Sequence, residues 1–180
     1  MKNENVVLYV LRLALTLLVI TGVVAAALAG VNAITKDKIA AIQVQKTEKA
    51  IQEVLPDAHG TQQLPLEGEA GIVQAVYAAG GGYAVQVAPG GFGGAVTMMV
   101  GIMDGEVSGI SVITHTETPG LGAVAAARNA KGEAFRSQFV GLEGTLAVGD
   151  QIDAMSGATI TSNAVVTGVN AALNYVANLG

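Results

Sequence analysis

Residues 72–114 are IVQAVYAAGGGYAVQVAPGGFGGAVTMMVGIMDGEVSGISVIT, and this stretch decides the class of fold. It contains four short apolar segments of the kind that favours β-strands. The predicted strands are Ile72–Tyr77, Tyr83–Val87, Ala95–Ile102 and Val107–Thr114. Tight turns are expected at Gly80-Gly81-Gly82 and at Asp104-Gly105, and an Asp-Gly pair is a strong β-hairpin signal. We therefore expect antiparallel strands.

The chain after these strands predicts helices. Residues 122–139 favour one or two short helices, and residues 160–178 favour a longer C-terminal helix. The expected apolar face of that helix consists of Ile160, Ala164, Val165, Val169, Ala172, Leu173 and Val176. Strands followed by helices indicate an α+β domain rather than a parallel sheet with crossover helices.

The N-terminal part of the chain predicts a membrane anchor. Leu13–Thr35 contains 23 residues without a charged side chain. A helix of this length spans roughly 35 Å, enough for a bilayer core of about 30 Å. Ala27-Leu28-Ala29 resembles a signal-peptide cleavage site, but the apolar run continues to Ile34, which favours a retained anchor. We expect a single pass through the cell (inner) membrane, with a cytoplasmic N-terminus and an extracytoplasmic main domain.

The segment between anchor and strands has two parts. Apolar residues at near-helical spacing predict that the helix continues to about Val54, before Pro56 ends it. Residues 56–71 have the Pro, Gly and polar composition of a linker. The predicted organisation is an anchor at residues 1–35, a juxtamembrane helix and linker at 36–71, and a folded domain at 72–180.

Composition excludes several classes of function. The chain is 51% hydrophobic and 13% charged, it contains no cysteine, and its formal net charge is −5. The absence of cysteine removes thiolate metal sites, iron–sulfur ligation and thiol nucleophiles, and two histidines leave little for a histidine-rich metal site. The acidic balance disfavours nucleic acid as a partner, because nucleic-acid binding requires a basic surface.

Two loops around the last strands are candidates for ligand contact. Pro89–Gly94, PGGFGG, would let a ligand approach the backbone, but it lacks the spacing of a nucleotide motif and favours an ordinary loop. His115–Gly122, HTETPGLG, combines a polar cluster with a Pro-Gly turn, as ligand-binding loops often do. A turn with helix-capping residues is the alternative. His115 has no recognisable nucleophile partner, which disfavours a hydrolase.

The third candidate segment is Asp153–Val165, DAMSGATITSNAV, which leads into the last helix. Ser156, Thr159 and Thr161 are possible N-caps of that helix. Thr159 lies where exposed N–H groups and the positive end of the helix dipole favour a phosphate. The small residues Gly157 and Ala158 would let a bulky phosphorylated ligand, or a modifying enzyme, reach its hydroxyl.

Together these segments resemble the FMN-binding domain of the G subunit of Rnf electron transport complexes, a family related to the C subunit of Na⁺-translocating NADH:quinone reductase. In this family a flavin transferase moves FMN from FAD onto a threonine through a phosphoester bond. The acceptor pattern, Asp-x-x-Ser/Thr-Gly-Ala-Thr/Ser, is matched here by Asp153 to Thr159. The HTETPGLG segment, the Gly-rich segment before it and the N-terminal anchor are also similar to this family.

The resemblance implies an electron-carrier subunit that is not an enzyme with its own substrate. Thr159 would carry FMN covalently, Ser156, Gly157 and Ala158 would surround the phosphate, and Asp153 would serve recognition by the transferase. Glu117, Thr118, Leu121 and Gly122 would line the flavin. The implied partners are the other membrane and iron–sulfur subunits of an ion-translocating ferredoxin:NAD⁺ oxidoreductase, and the flavin transferase during maturation.

Two alternatives remain open from the sequence. One is a tethered extracytoplasmic flavoprotein outside an ion pump, including the related quinone-reductase protein. The other is a membrane-anchored binding module without redox chemistry, which would be colourless and of unmodified mass.

Overall fold

The N-terminal apolar segment lies in one continuous helix, α1 (Lys2–Val54). The computed structural model describes residues 2–56, 59–66, 68 and 70–179. Val6–Val54 is the one helical stretch among these residues that is long and apolar enough to cross a membrane, with a mean hydropathy of 2.4 in its most apolar window and none of that window buried. The predicted apolar N-terminal helix is confirmed, and its end at Val54 agrees with the expected stop before Pro56.

The chain divides into two compact units, residues 1–45 and residues 46–180. The last residues of α1 therefore belong to the same unit as the sheet. The predicted boundaries after residues 35 and 71 stay predictions.

The second unit is built on a five-stranded antiparallel sheet in the order β1-β2-β3-β4-β5. Its strands are β1 (Gln62–Leu64), β2 (Val73–Ala79), β3 (Gly82–Val87), β4 (Thr97–Met103) and β5 (Glu106–Thr114). The four predicted strands are confirmed to within two residues at each end. The strand β1 was not expected, because it lies within the predicted linker, where it pairs with the edge of β2.

Two tight turns set the register of this sheet. Asp104 and Gly105 join β4 to β5 with φ angles of 55° and 87°, and Gly80 and Gly81 join β2 to β3 with 58° and 88°. Two consecutive left-handed residues are what a type I′ hairpin turn requires, and its twist matches that of the strands. The predicted turns are thus confirmed.

Both faces of the sheet are covered, which explains the unbroken apolar run in β4. Successive side chains of a strand point to opposite faces. Met98 packs in the larger core cluster with Val169 and Phe139, and Met99 packs in a smaller cluster with Ile51 and Val54 at the end of α1. The sheet thus lies between the C-terminal helical layer and the last turns of α1.

The helical layer comprises a short 3₁₀ helix (Gly122–Ala126), α2 (Ala130–Ser137) and α3 (Thr159–Ala177). These elements confirm the predicted helices and the α+β class. Asn129 caps α2 by accepting a hydrogen bond from the Gly132 N–H at 3.1 Å. One residue of the expected apolar face of α3 differs: Ile160 is 55% exposed, because the first turn of α3 borders a cavity instead of the sheet.

Candidate functional site

A cavity of about 360 Å³ lies where three chain segments meet. The segments are the Gly-rich loop before β4, the segment after β5, and the beginning of α3. The residues that line it are Phe92, Glu117, Thr118, Leu121, Gly122, Gly157, Ala158, Thr159, Ile160 and Thr161. Its size falls in the range of small-molecule sites, about 300–1,000 Å³.

The cavity brings together most of the residues that the sequence singled out. Its lining includes Glu117, Thr118, Leu121, Gly122, Gly157, Ala158 and Thr159. The structure does not place Asp153 and Ser156 there. They line a neighbouring cavity of about 390 Å³, together with Gly120 and Lys131. Gly157, which follows Ser156 and lines the first cavity, has a φ of 72°, in the left-handed region that glycine adopts readily.

Three lining residues were missed by the sequence reasoning. Phe92 is 70% exposed and lies in the loop that was predicted to be an ordinary connection. The sequence places Ile160 on the expected apolar face of α3 and offers Thr161 as a possible helix cap, so it predicts neither as a lining residue. The signal that could have identified Phe92 is its position between two pairs of glycines, where a large side chain has no local partner.

The first turn of α3 is left without a side-chain cap. The N-cap residue is Ala158, and no side chain bonds to the exposed N–H groups, so the prediction that Ser156, Thr159 or Thr161 caps this helix is wrong. The physical reason is that Thr159 and Thr161 lie inside the first turn, after the cap position, while Ser156 lies two residues before it. Thr161 Oγ1 donates to Glu117 Oε2 at 2.6 Å. Thr159, the first helical residue, is exposed. Uncapped N–H groups carry partial positive charge and favour an anion.

Glu117 joins the three segments around the cavity. Its side chain is 6% exposed. Oε1 accepts a hydrogen bond from the Gly93 N–H at 2.9 Å, and Oε2 accepts one from Thr161. Burial by itself would raise the pKa of Glu117, but hydrogen bonds from Thr161 and from the backbone of Gly93 and Phe92, with a contribution from His115, lower that pKa below its ordinary value. Glu117 is therefore an ionised, hydrogen-bonded carboxylate at neutral pH.

Two glycines beside this cavity, Gly122 and Gly93, lie too close to neighbouring atoms for a larger residue to fit. A Cβ at Gly122 would collide with Glu117 Oε2 and with Thr161 Oγ1 at 2.5 Å. A Cβ at Gly93 would collide with the backbone of Thr116, whose Oγ1 donates to the Gly93 carbonyl at 2.8 Å. The PGGFGG loop is thus held against the HTETPGLG segment by hydrogen bonds in both directions.

Known proteins share both parts of this chain. Residues 91–174 match the family model of the FMN-binding domain, which contains all the residues that line the cavity. Residues 1–54, a range that includes α1, match the RnfG N-terminal region. The fold and cavity thus fall in the class of FMN-binding domains.

Individual relatives show which family of FMN-binding proteins this chain is similar to. The G subunit of the Na⁺-translocating ferredoxin:NAD⁺ oxidoreductase complex of Acetobacterium woodii is 36% identical over 94% of this chain and 93% of the relative. The G subunit of an ion-translocating oxidoreductase complex of Methanosarcina acetivorans is 32% identical over 92% of this chain and 93% of the relative. The G subunit of a proton-translocating ferredoxin:NAD⁺ oxidoreductase complex of Clostridium ljungdahlii is 41% identical over 52% of each chain. The chain belongs to the RnfG family, the G subunits of Rnf-type ion-translocating oxidoreductase complexes.

Proposed function

We propose that this protein is the electron-carrying G subunit of a membrane-bound, ion-translocating ferredoxin:NAD⁺ oxidoreductase, and that it carries FMN bound covalently to Thr159. The observation that supports this most strongly is the position of Thr159. It is exposed, it begins α3, and it borders a cavity within the matched FMN-binding domain.

The residues of the cavity fit the two chemically different ends of FMN. The uncapped N-terminus of α3 suits the phosphate, because backbone N–H groups and the helix dipole stabilise negative charge there. The apolar side chains of Phe92, Leu121 and Ile160 are exposed at the cavity and suit a flat aromatic ring. When bound, FMN would supply the electron-accepting chemistry, while the protein would bind, orient and shield it.

Covalent attachment would need access to the Thr159 hydroxyl. The Thr159 oxygen would form a bond to the phosphorus of the FMN half of FAD. The pyrophosphate bond would break, AMP would leave, and the hydroxyl proton would be released. Gly157 and Ala158 keep the approach to Thr159 free of large side chains. Asp153, exposed beside the neighbouring cavity, would contact the transferase, and Ser156 lies at that same cavity, outside the one that would hold the flavin.

The long apolar helix supports membrane attachment by a single pass. We propose that the N-terminus is cytoplasmic and that residues 46–180 lie outside the cytoplasm, in contact with the other subunits of the complex. A covalent tether has a physical advantage there, because an FMN that dissociated outside the cell would be lost.

The decisive experiment is the intact mass of the Thr159-bearing peptide from native membranes. We expect an added mass of FMN less water, and its complete loss in Thr159→Ala. Thr167→Ala is the matched control, since Thr167 is also an exposed threonine of α3 but does not line the cavity. Ser156→Ala should leave the modification on Thr159.

The opposite results are equally informative. An unmodified Thr159 in cells that possess a flavin transferase would contradict covalent attachment. A modification that is lost in Ser156→Ala and kept in Thr159→Ala would assign the acceptor to Ser156, at the neighbouring cavity. A colourless wild-type protein of unmodified mass would favour a binding module.

A further inference from the structure

We propose that the carboxylate of Glu117 lowers the reduction potential of the flavin in this cavity. This inference depends on the proposed function, because it needs FMN at Thr159. It goes beyond that function by assigning to Glu117 an electrostatic effect on electron affinity in addition to its role in holding the cavity together.

The first step is that Glu117 is the only ionisable side chain among the residues that line the cavity within the described part of the chain. The remaining lining consists of glycine, threonine and apolar residues. Among the lining residues, Glu117 alone therefore contributes a formal charge, and the N-terminus of α3 adds partial positive charge.

The second step is that neutral groups hold this charge in place. Its two oxygens accept hydrogen bonds from the Gly93 N–H and the Thr161 hydroxyl. The one ion pair within residues 2–56, 59–66, 68 and 70–179 joins Arg128 to Glu53. His115 is the nearby titratable group, and its Nδ1 accepts the backbone N–H of Glu117 at 3.2 Å. Neither hydrogen-bond donor carries a charge that would cancel that of the carboxylate, and His115 adds to the stabilisation of its ionised form.

The third step is the charge balance of flavin reduction. A flavin that takes up two electrons and one proton gains one negative charge. A fixed negative charge nearby opposes that gain, and the opposition is stronger in a partly desolvated site than in water. Uptake of a second proton would cancel the charge change, so the effect belongs to pH values at which the reduced flavin is anionic.

The geometry permits a substitution that removes the charge and keeps the contacts. In Glu117→Gln, the amide oxygen can accept from the Gly93 N–H, and the amide nitrogen can donate to Thr161 Oγ1, because a hydroxyl both donates and accepts. Thr161→Val is the converse variant, since it removes one hydrogen bond and leaves the carboxylate. Glu143→Gln removes an exposed carboxylate and controls for net charge alone.

The experiment measures the two-electron midpoint potential of full-length, flavin-loaded protein in detergent, with dithionite as the reductant. The FMN content of every variant is first determined from mass and absorbance. We expect Glu117→Gln to raise the midpoint potential by at least about 30 mV, which is a tenfold change in the reduction equilibrium for two electrons. Thr161→Val should shift it by less, and Glu143→Gln should leave it unchanged.

Three results would overturn the proposal. One is a fully loaded Glu117→Gln protein with the wild-type potential. Another is a shift in Thr161→Val as large as that in Glu117→Gln, which would make the effect structural.

If Glu117→Gln does not fold, Thr118→Lys places a positive charge at the exposed rim of the same cavity and should raise the potential. An unchanged potential in that variant would then refute the effect. A wild-type protein without flavin would refute the proposed function itself.

Discussion

At the scale of single residues, Glu117 shows how one carboxylate can organise a site. Its hydrogen bonds reach 24 residues back to Gly93 and 44 residues forward to Thr161. Thr161 lies in the first turn of α3, so its hydrogen bond to this carboxylate ties the beginning of the helix to the segment after β5.

The stabilisation by Glu117 should depend on pH. Its pKa is lower in the folded protein than its ordinary value of 4.5, because the hydrogen bonds from Thr161 and Gly93 outweigh the effect of burial. A lowered pKa means that the stabilisation is complete above about pH 4.5 and is lost as the pH falls through the folded-state value. Hydrogen bonds to charged groups contribute about 1.5–3 kcal/mol each.

We therefore expect Glu117→Gln to be less stable than the wild type at pH 7, and the difference to shrink below pH 4.5. The free energy of unfolding by denaturant, measured between pH 3 and 8 for both proteins, checks this. Glu143→Gln serves again as the surface control. A difference that stays constant down to pH 3 would show that the ionised form contributes nothing.

At the scale of elements, the end of α1 packs against a pair of glycines in the sheet. Gly101 on β4 is paired with Gly109 on β5. Their missing side chains make room for Val54, whose carbonyl accepts a hydrogen bond from Ser108 Oγ at 2.6 Å. Ile51 and Leu55 are buried on the same face of the sheet. The sheet thus holds the end of α1 through backbone contact.

Gly101→Ala should weaken this packing. A Cβ at Gly101 would lie 2.6 Å from the Val54 carbonyl oxygen and 2.8 Å from Val54 Cβ, whereas a Cβ at Gly109 would lie 3.4 Å from Val54 Cα. We expect Gly101→Ala to lower the free energy of unfolding by about 1–3 kcal/mol, as overpacking does. Gly109→Ala is the matched control and should have a smaller effect. Equal effects of the two variants would argue against backbone contact as the cause.

At the scale of the whole molecule, the chain combines a membrane helix with a folded domain of low charge. The helix accounts for much of the apolar composition, since its side chains from Val6 to Ile34 are exposed in the isolated chain. Burying them in lipid removes this apolar surface from water. The proposed orientation places the domain outside the cytoplasm.

The orientation can be tested cleanly because the chain has no cysteine. We expect Thr145→Cys, at an exposed position of the domain, to react with a membrane-impermeant maleimide in intact spheroplasts. Asn3→Cys should react only after the membrane is permeabilised. The reverse labelling pattern would place the domain in the cytoplasm.

The elements of this protein follow from its sequence because their causes are local. The short apolar segments, the Asp104-Gly105 turn and the apolar run of Leu13–Thr35 are each contiguous in the chain, so the strands, the hairpin and the N-terminal helix could be predicted. The short strand β1 could not, because its pairing with β2 joins Leu64 to Val76 across a polar segment without a periodic pattern.

The site was predictable only where a motif marks it. Two motifs, the segment ending at Thr159 and HTETPGLG, contain most of the residues that line the cavity. The sequence alone could not show that Asp153 and Ser156 line a different cavity from Thr159. That separation, the exposure of Phe92 and Ile160, and the bond between Thr161 and Glu117 were decided by the tertiary structure. The physical reason is that contacts across 24 and 44 residues depend on how the sheet and helices pack, and not on the preferences of neighbouring residues.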